Sequence, residues 1–240
     1  MTASYQVSRE GFVAAGRTAR EADNALRASV LIAREAVANR PVLVAASIGP
    51  YGAILHDGSE YRGRYGVSRD RLVDFHAERL AVINEAQPDV LAIETIPDVE
   101  EIDALMEALA TVPHLTGWVT VTCADTSHTS AGQRLDEVAA AVATSSQVSA
   151  VGVNCTAPVH VSGALTALSA SCDLPLVAYP NAGGDWDPEH GWRGAAENQA
   201  VDLLGQWCAQ PNLGLLGGCC GVGPTTVGYM AERLATAQPR

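Results

Sequence analysis

The chain has 240 residues and a formal charge of −12 at pH 7, with no basic cluster along it. Such an acidic surface repels the phosphate backbone of nucleic acids and anionic lipid, so we expect neither nucleic acid nor membrane partners. All 15 basic residues are arginines, which excludes Schiff-base enzymes and P-loop proteins, because both depend on a lysine amine. No apolar run reaches the ~18 residues of a membrane span and no signal peptide is recognisable, so we expect a cytoplasmic protein.

Short β-branched runs alternate with helical patterns, which is typical of a parallel sheet with crossover helices. We predict six strands: Val42–Ile48, Val90–Ile93, Trp118–Thr122, Val148–Val153, Leu174–Ala178 and Leu213–Leu216. No GxGxxG motif marks a dinucleotide-binding open sheet, so the α/β pattern favours a (β/α)8 TIM-barrel type. Because a complete barrel has eight strands, we expect a single domain over residues 1–240 that lacks the beginning of its barrel.

The helical patterns carry recognisable start signals. Ser68 is a predicted N-cap, and the acidic stretch Asp98–Glu101 suits the positive end of a helix dipole. The early stretch Glu10–Ala38 reads as one long or broken helix. Four further helices are predicted at Leu135–Ala143, Val161–Ser169, Ala196–Cys208 and Thr225–Leu234. Two polar, Gly-rich stretches, Gly58–Gly66 and Asn181–Gly194, follow strands, where the active-site loops of barrels lie.

Three of the six cysteines stand at the ends of apolar runs beside glycines: Cys155, Cys219 and Cys220. The carboxyl ends of barrel strands meet at one mouth, so these thiols could converge and bind zinc with an open fourth position. The spacing alone is equally compatible with a phosphate-binding glycine loop, a vicinal disulfide or two buried thiols. Cys123, Cys172 and Cys208 are scattered, and we interpret them as small buried hydrophobic residues.

Seven segments carry a family resemblance over essentially the whole chain. They are Thr2–Gln6 (TASYQ), Ser47–Ala53 (SIGPYGA), Asp57–Gly63 (DGSEYRG), Glu94–Pro97 (ETIP), Gly152–Cys155 (GVNC), Tyr179–Gly183 (YPNAG) and Gly217–Gly221 (GGCCG). In these motifs the sequence resembles the zinc-dependent homocysteine S-methyltransferases. The SIGPYGA and DGSEYRG segments are most similar to the branch that uses S-methylmethionine.

The resemblance implies a Zn²⁺ cofactor and a set of site residues. The family's zinc ligands fall on Cys155, Cys219 and Cys220, and the acidic residue that holds the amino group of homocysteine falls on Glu94. In the alternative without a functional role, Glu94 is a solvated carboxylate near a helix start, like Glu100 and Glu101. Three polar residues that also follow strands are candidate substrate contacts, although each could instead be a turn residue or a helix cap: Ser47, Thr95 and Asn181.

The implied reaction is an in-line displacement that gives methionine. The sulfur of homocysteine attacks the methyl group of S-methylmethionine or a similar sulfonium, and a neutral thioether leaves without needing a proton. The chemistry therefore demands none of the six histidines, which we expect on surfaces or in loops: His56, His76, His114, His128, His160 and His190.

One departure from the family concerns the start of the chain. Family members begin with a strand ending in Asp-Gly-Gly, whereas the resemblance here starts at Thr2, at the end of the family's second strand. We therefore expect weakened activity from the truncated barrel, and a non-catalytic zinc-binding remnant is the competing hypothesis. The residues are also compatible with a different thiol or selenol acceptor, a betaine donor and, more remotely, a phosphate-binding barrel enzyme. The sequence carries no signal for the oligomeric state.

Overall fold

The computed structural model describes residues 1–187, 191–193 and 197–237. Its central feature is a six-stranded, wholly parallel sheet, as predicted, in the order β1-β2-β3-β4-β5-β8. These strands are β1 (Ala45–Ile48), β2 (Val90–Ile96), β3 (Gly117–Val121), β4 (Val148–Asn154), β5 (Leu176–Tyr179) and β8 (Leu213–Leu216). The chain is thus of the α/β, (β/α) barrel type, and its sheet is open between β1 and β8 over the described residues.

Eight helices accompany the sheet in the described residues. They are α1 (Arg9–Ala14), α2 (Ala19–Val37), α3 (Arg69–Ala86), α4 (Val99–Leu109), α5 (Leu135–Val142), α6 (Pro158–Ser169), α7 (Glu197–Cys208) and α8 (Pro224–Ala237). Ser68 caps α3 as predicted, and its hydroxyl accepts a hydrogen bond from the backbone of Arg71. Asp98 is the N-cap of α4. Residue 196, the first of the predicted helix Ala196–Cys208, lies outside the described residues.

The early helical stretch is broken rather than continuous. Gly16 takes a left-handed φ of 74°, which ends the first helix, and Thr18 then starts α2 with a capping box shared with Glu21. The predicted first strand is also shorter than expected. It begins at Ala45 because Val42 and Leu43 are exposed ahead of it.

The core lies between the strands and the helices that cover them. Branched aliphatic side chains from β2, β3 and β4 are fully buried together with α4, as at Ile93, Val119, Val151 and Leu105. Strands buried along their whole length are typical of parallel sheets covered by helices. Within the described part of the chain, no helix is both long and apolar enough to cross a bilayer.

The first residues of the chain are fastened beside β1. The backbone N–H of Thr2 donates to the carbonyl of Ala45, and the Ser4 hydroxyl donates to the carbonyl of Ser47. Arg79 of α3 is buried and its guanidinium donates to the carbonyls of the same segment, including that of Tyr5 at 2.7 Å. Burial lowers the pKa of Arg79 to about 10, although the group stays cationic at neutral pH.

Two sequence expectations about polar residues were wrong. His76 and Glu101 are fully buried, not on the surface, and Nε2 of the histidine lies 2.9 Å from the carboxylate. The helix-start pattern around Glu101 resembles a solvated turn, but packing of α3 against α4 encloses it and three hydrogen-bond donors satisfy it. His190 lies outside the described residues.

The Gly-rich stretch after β5 contains a feature that the sequence pattern did not predict. Two short strands, β6 (Asp185–Asp187) and β7 (Gly191–Arg193), pair antiparallel there. Another Gly-rich loop, after β1, contains two short 3-10 turns, Tyr51–Ile54 and Ser59–Tyr61. Both loops leave the carboxyl ends of their strands, so they border the same end of the sheet.

Candidate functional site

Three cysteine sulfurs meet at the carboxyl end of the sheet. Cys155 directly follows β4, whereas Cys219 and Cys220 follow β8 after two glycines. The Sγ atoms of Cys155 and Cys220 are 3.6 Å apart, and those of Cys219 and Cys220 are 4.0 Å apart. Cys155 and Cys219 are in disulfide contact. The predicted convergence of these residues is confirmed, and the disulfide contact is not the vicinal one considered from the sequence.

The backbone around the cluster is shaped to bring the sulfurs together. Cys155 adopts a left-handed φ of 44°, which turns the chain sharply at the end of β4. Loop segments then cross-link β5 and β8, since the N–H of Cys219 donates to the carbonyl of Pro180 and that of Ala182 donates to the carbonyl of Cys220. Gly221 has a φ of 77°, a conformation that a residue with a Cβ rarely adopts.

The cluster has the dimensions of a metal site. All three Sγ atoms lie within 4.8 Å of one another. Sulfur ligands of a tetrahedral zinc ion are about 3.8 Å apart, given zinc–sulfur bonds of about 2.3 Å. The two longer sulfur pairs match this spacing, so the three residues could bind a metal ion once Cys155 and Cys219 are reduced, because the thiolate is the ligand form.

Ser47 lies inside β1 and Thr95 lies inside β2, rather than after these strands as predicted. Glu94 also lies inside β2, and it is buried. Its Oε1 accepts a hydrogen bond of 2.5 Å from the Ser47 hydroxyl on the adjacent strand, and the Tyr179 hydroxyl lies close enough to favour the charged carboxylate. Burial raises the pKa of the Glu94 carboxyl above its usual range, while these two hydroxyls oppose that rise. The structure therefore joins two of the predicted site residues, Glu94 and Ser47, in one buried polar unit.

The Tyr179 hydroxyl completes this unit. It lies 2.7 Å from the Thr120 hydroxyl, and Nε1 of Trp118 donates to it at 3.1 Å. Burial raises the pKa of Tyr179 well above its usual value, so the phenol stays protonated and can donate to a carboxylate.

Thr95 is held by a residue that sequence reasoning missed. The buried Asn154 accepts a hydrogen bond from the backbone of Thr95 at 2.7 Å and donates to its hydroxyl at 2.7 Å. Thr95 has a left-handed φ of 63°, and Tyr5 is a further partner of its side chain. The asparagine at the end of an otherwise apolar strand, immediately before a cysteine, was the available signal.

A cavity of about 490 Å³ opens beside the cysteines. It is lined by His56, Gly58, Glu60, Tyr61, Cys155, Asn181 and Cys220. The side-chain Oδ1 of Asn181 accepts a hydrogen bond from the backbone of Gly183, which makes a local turn at the rim of the cavity. Thus Asn181 reaches the cavity, whereas the Ser47, Glu94 and Thr95 group is buried beneath the same end of the sheet.

Tyr61 links the cavity to the cysteines, and sequence reasoning did not single it out. Its hydroxyl lies close enough to Cys220 for the two groups to affect each other's titration. Tyr61 is 42% exposed, and its partial burial, together with the charges of Cys220 and Glu60, raises its pKa to about 12. Burial also raises the pKa of the Cys220 thiol, and the Glu94 charge adds to that rise, so a bound cation would be needed to hold this sulfur as a thiolate at neutral pH.

The remaining cysteines lie apart from the cluster. Cys123 is buried, as expected, and burial raises the pKa of its thiol to about 12. Cys172 and Cys208 are half-buried and pack against the core.

Comparison with known proteins adds independent findings. The model of the family "Homocysteine S-methyltransferase" matches residues 1–234. The homocysteine S-methyltransferase YbgG of Bacillus subtilis is 38% identical over 96% of this chain and 77% of its own length. The homocysteine S-methyltransferase of Escherichia coli is 39% identical over 97% of this chain and 78% of its own length. A selenocysteine Se-methyltransferase of Brassica oleracea is 36% identical over 98% of this chain and 74% of its own length.

Solved structures agree with these sequence relatives. The oxidised form of the homocysteine methyltransferase MmuM from Escherichia coli superposes with a TM-score of 0.86 at 38% identity, covering 97% of this chain and 78% of that one. The metallated form of MmuM gives a TM-score of 0.85 at 39% identity, with the same coverage. From the family match, the relatives and the common fold together, this chain belongs to the homocysteine S-methyltransferase family.

Proposed function

We propose that this protein transfers a methyl group from S-methylmethionine, or a similar sulfonium donor, to homocysteine and so produces methionine. The observation that carries the proposal is the convergence of the three cysteine sulfurs beside a cavity in a chain of this family. We further propose that residues 1–240 form one homocysteine-binding domain, because the described strands of the parallel sheet bring together all parts of the site.

We propose Zn²⁺ as the cofactor, with Cys155, Cys219 and Cys220 as its ligands. Three soft thiolates favour zinc over oxygen-preferring ions such as magnesium, and the metallated form of the MmuM relative supports a metal in this fold. Zinc in this position would supply Lewis acidity that lowers the pKa of an incoming thiol and keeps it as the nucleophilic thiolate. Cys155 and Cys220 line the cavity, where the thiol of the acceptor would enter.

The buried polar unit has a distinct role in this proposal. Glu94 accepts hydrogen bonds from the ammonium group of homocysteine, and Ser47 and Tyr179 hold the carboxylate in one orientation. Asn154 fixes Thr95 beside it, so the acceptor meets a preorganised surface. Asn181, at the rim of the cavity, contacts whichever substrate occupies it.

The methyl transfer then needs little proton movement. A lone pair on the acceptor sulfur forms the new carbon–sulfur bond, and the old bond breaks with its electron pair returning to the sulfonium sulfur. Both products are neutral thioethers, and the thiol proton passes to solvent. Alignment of the two sulfurs supplies much of the rate, so no described histidine is required, and exposed His56 serves only as part of the cavity wall.

A selenol acceptor is the second candidate that a specific observation favours. The Brassica oleracea relative is a selenocysteine Se-methyltransferase of comparable similarity to this chain. Selenols are deprotonated more readily than thiols, so the same site would serve both acceptors.

The test combines metal analysis with a methyl-transfer assay under reducing conditions. Homocysteine and selenocysteine serve as acceptors, with S-methylmethionine and betaine as donors. We expect about one zinc per chain and methionine formation from homocysteine and S-methylmethionine. Cys220→Ser should lose the metal and at least about 100-fold of the activity, because a thiolate ligand is removed. Cys172→Ser, outside the cluster, is the matched control and should retain both.

Three outcomes would count against the proposal. Full activity in metal-free protein would exclude a zinc-dependent reaction. Metal retention by Cys220→Ser would place the ion elsewhere. Zinc binding by the wild type without turnover of any donor and acceptor pair would favour the non-catalytic remnant.

A further inference from the structure

Glu60 lines the candidate cavity, and one oxygen of its carboxylate has no hydrogen-bond partner among the described residues. That oxygen, Oε2, is buried. Burying a charged oxygen without a partner costs free energy, and a positively charged ligand would offset that cost. The arrangement therefore points to a cation in the cavity.

The backbone that carries Glu60 is firmly placed. Gly58 begins the 3-10 turn with a φ of 78°, and the Asp57 carboxylate accepts a hydrogen bond from the N–H of Ser59. The turn packs against Gly52, where a Cβ would lie only 2.6 Å from the backbone nitrogen of Glu60. This close approach leaves the backbone at Glu60 little room to move.

The charges around the cavity strengthen the inference. Among the described residues that line it there is no lysine or arginine. Arg62, which follows in the same loop, already donates to Asp57 and to the Ser59 hydroxyl. A second carboxylate, Glu94, lies near enough that its charge and that of Glu60 both act on the Tyr5 hydroxyl.

The two carboxylates differ in their surroundings. Glu94 is buried and accepts a hydrogen bond from the Ser47 hydroxyl, whereas Glu60 lines the cavity and its Oε2 has no hydrogen-bond partner in the described residues. Tyr61, the next residue after Glu60, lines the same cavity as Cys155 and Cys220. Glu60 thus shares the cavity with two of the three cysteines, a suitable place for the second substrate.

We propose that Glu60 binds the ammonium group of the methyl donor, a cationic amino acid whose sulfonium end reaches the cysteine cluster. This assignment rests on the proposed function and gives the two amino-acid substrates separate carboxylates, Glu94 for the acceptor and Glu60 for the donor. An ammonium donates N–H hydrogen bonds to a carboxylate, and charge-assisted bonds of this kind are among the stronger ones in proteins. The sulfonium has no N–H, so it depends on the remainder of the cavity.

The test compares wild type with Glu60→Gln, which removes the charge and keeps the shape. We expect the Kd of S-methylmethionine, measured by calorimetry, and its KM to rise about 10-fold or more, the usual effect of losing a charged hydrogen bond. The Kd and KM of homocysteine should stay within about twofold. Glu60→Asp, which keeps the charge, should restore part of the affinity. Glu35→Gln, on the exposed side of α2, carries the same charge change as a control.

Dimethylsulfoniopropionate, a sulfonium without an amino group, separates the ammonium from the sulfonium charge. It should bind wild type and Glu60→Gln equally. Equal weakening of both sulfonium compounds would overturn the assignment to the ammonium, and unchanged binding of S-methylmethionine to folded Glu60→Gln would overturn the site altogether. If Glu60→Gln does not fold, Glu60→Asp is measured instead. Unchanged affinity of Glu60→Asp for both the donor and the acceptor would contradict a close contact between Glu60 and the ammonium group.

Failure of the proposed methyl transfer would give different results from failure of the Glu60 site. Glu60-dependent binding of S-methylmethionine without methionine formation would overturn the methyl transfer and leave the binding site standing. Methyl transfer from betaine alone, with no binding of S-methylmethionine, would overturn the donor site and leave homocysteine methylation standing.

Discussion

Asn154 shows how a single amide organises the candidate site. It ends β4, is fully buried, and bonds both the backbone N–H and the hydroxyl of Thr95 at the end of β2. Its Nδ2 also lies 4.0 Å from Sγ of Cys219. One side chain therefore couples β2, the strand that carries Glu94 and Thr95, to the cysteine cluster, and its loss would disturb both.

We expect Asn154→Ala to lower the free energy of unfolding by about 1–3 kcal/mol, because the N–H of Thr95 is left buried without a partner. Homocysteine KM should rise in the same variant, because Thr95 loses its support beside Glu94. Chemical denaturation and steady-state kinetics measure the two effects. Asn24→Ala, on the exposed face of α2, should change neither. A variant with wild-type stability and kinetics would contradict this role for Asn154.

At the level of elements, the pairing of β4 with β5 depends on one glycine. Gly152 is in register with Val177, and a Cβ added to Gly152 would lie 1.8 Å from the Val177 carbonyl oxygen. Both strands lead directly into loops of the site, through Cys155 and Tyr179. The close approach of these backbones therefore sets the separation of the residues that the two strands deliver.

Gly152→Ala should destabilise the protein by about 3 kcal/mol or more, because the clash is with backbone that cannot rotate away. Gly214→Ala in β8 is the matched control, since its nearest contact would be an ordinary 3.5 Å from a Pro175 side-chain atom. Thermal unfolding should show a much lower midpoint, or no folded protein, only for the first variant. Equal midpoints would mean that the strands can separate without cost.

Across the whole molecule, a buried network ties the helical layer to the loops above the sheet. The Glu101 carboxylate in α4 accepts hydrogen bonds from the backbone of Tyr51, from the Tyr65 hydroxyl and from His76 of α3. Tyr51 belongs to the SIGPYGA motif, in the loop that leads on to the Glu60 turn. Burial lowers the pKa of His76 below 6.5, and the neighbouring Arg79 charge acts in the same direction against the opposing effect of Glu101.

This network predicts a loss of stability in acid. His76 is neutral in the folded protein, whereas the unfolded chain binds a proton near pH 6.5, so the unfolded state holds more protons as the pH falls below that value. We expect the free energy of unfolding to fall by up to about 1.4 kcal/mol per pH unit from this one group. Denaturant titrations of wild type and His76→Gln over that range should show a shallower slope for the variant. If the free energy of unfolding falls equally steeply with pH in both proteins, the loss of stability does not come from His76.

Much of the fold was predictable because its signals are local. The six apolar runs, the Ser68 cap and the acidic start of α4 depend on neighbours within one or two turns, and all three features are present in the structure. The antiparallel pair β6 and β7 and the burial of Glu101 were not predicted. Both depend on segments distant in sequence or on loop conformations for which the chain offers no periodic signal.

By itself, the sequence determined the parallel α/β architecture and the placing of Cys155, Cys219 and Cys220 at strand ends. These features could be predicted because hydrophobic periodicity and strand direction follow from residues close together in the chain. Only the tertiary structure decided that Ser47 meets Glu94, that Asn154 holds Thr95, and that Glu60 lines the cavity with its buried Oε2 unpartnered among the described residues. These contacts join residues on different strands and loops, and their distances follow from sheet register and backbone turns, which no single segment specifies.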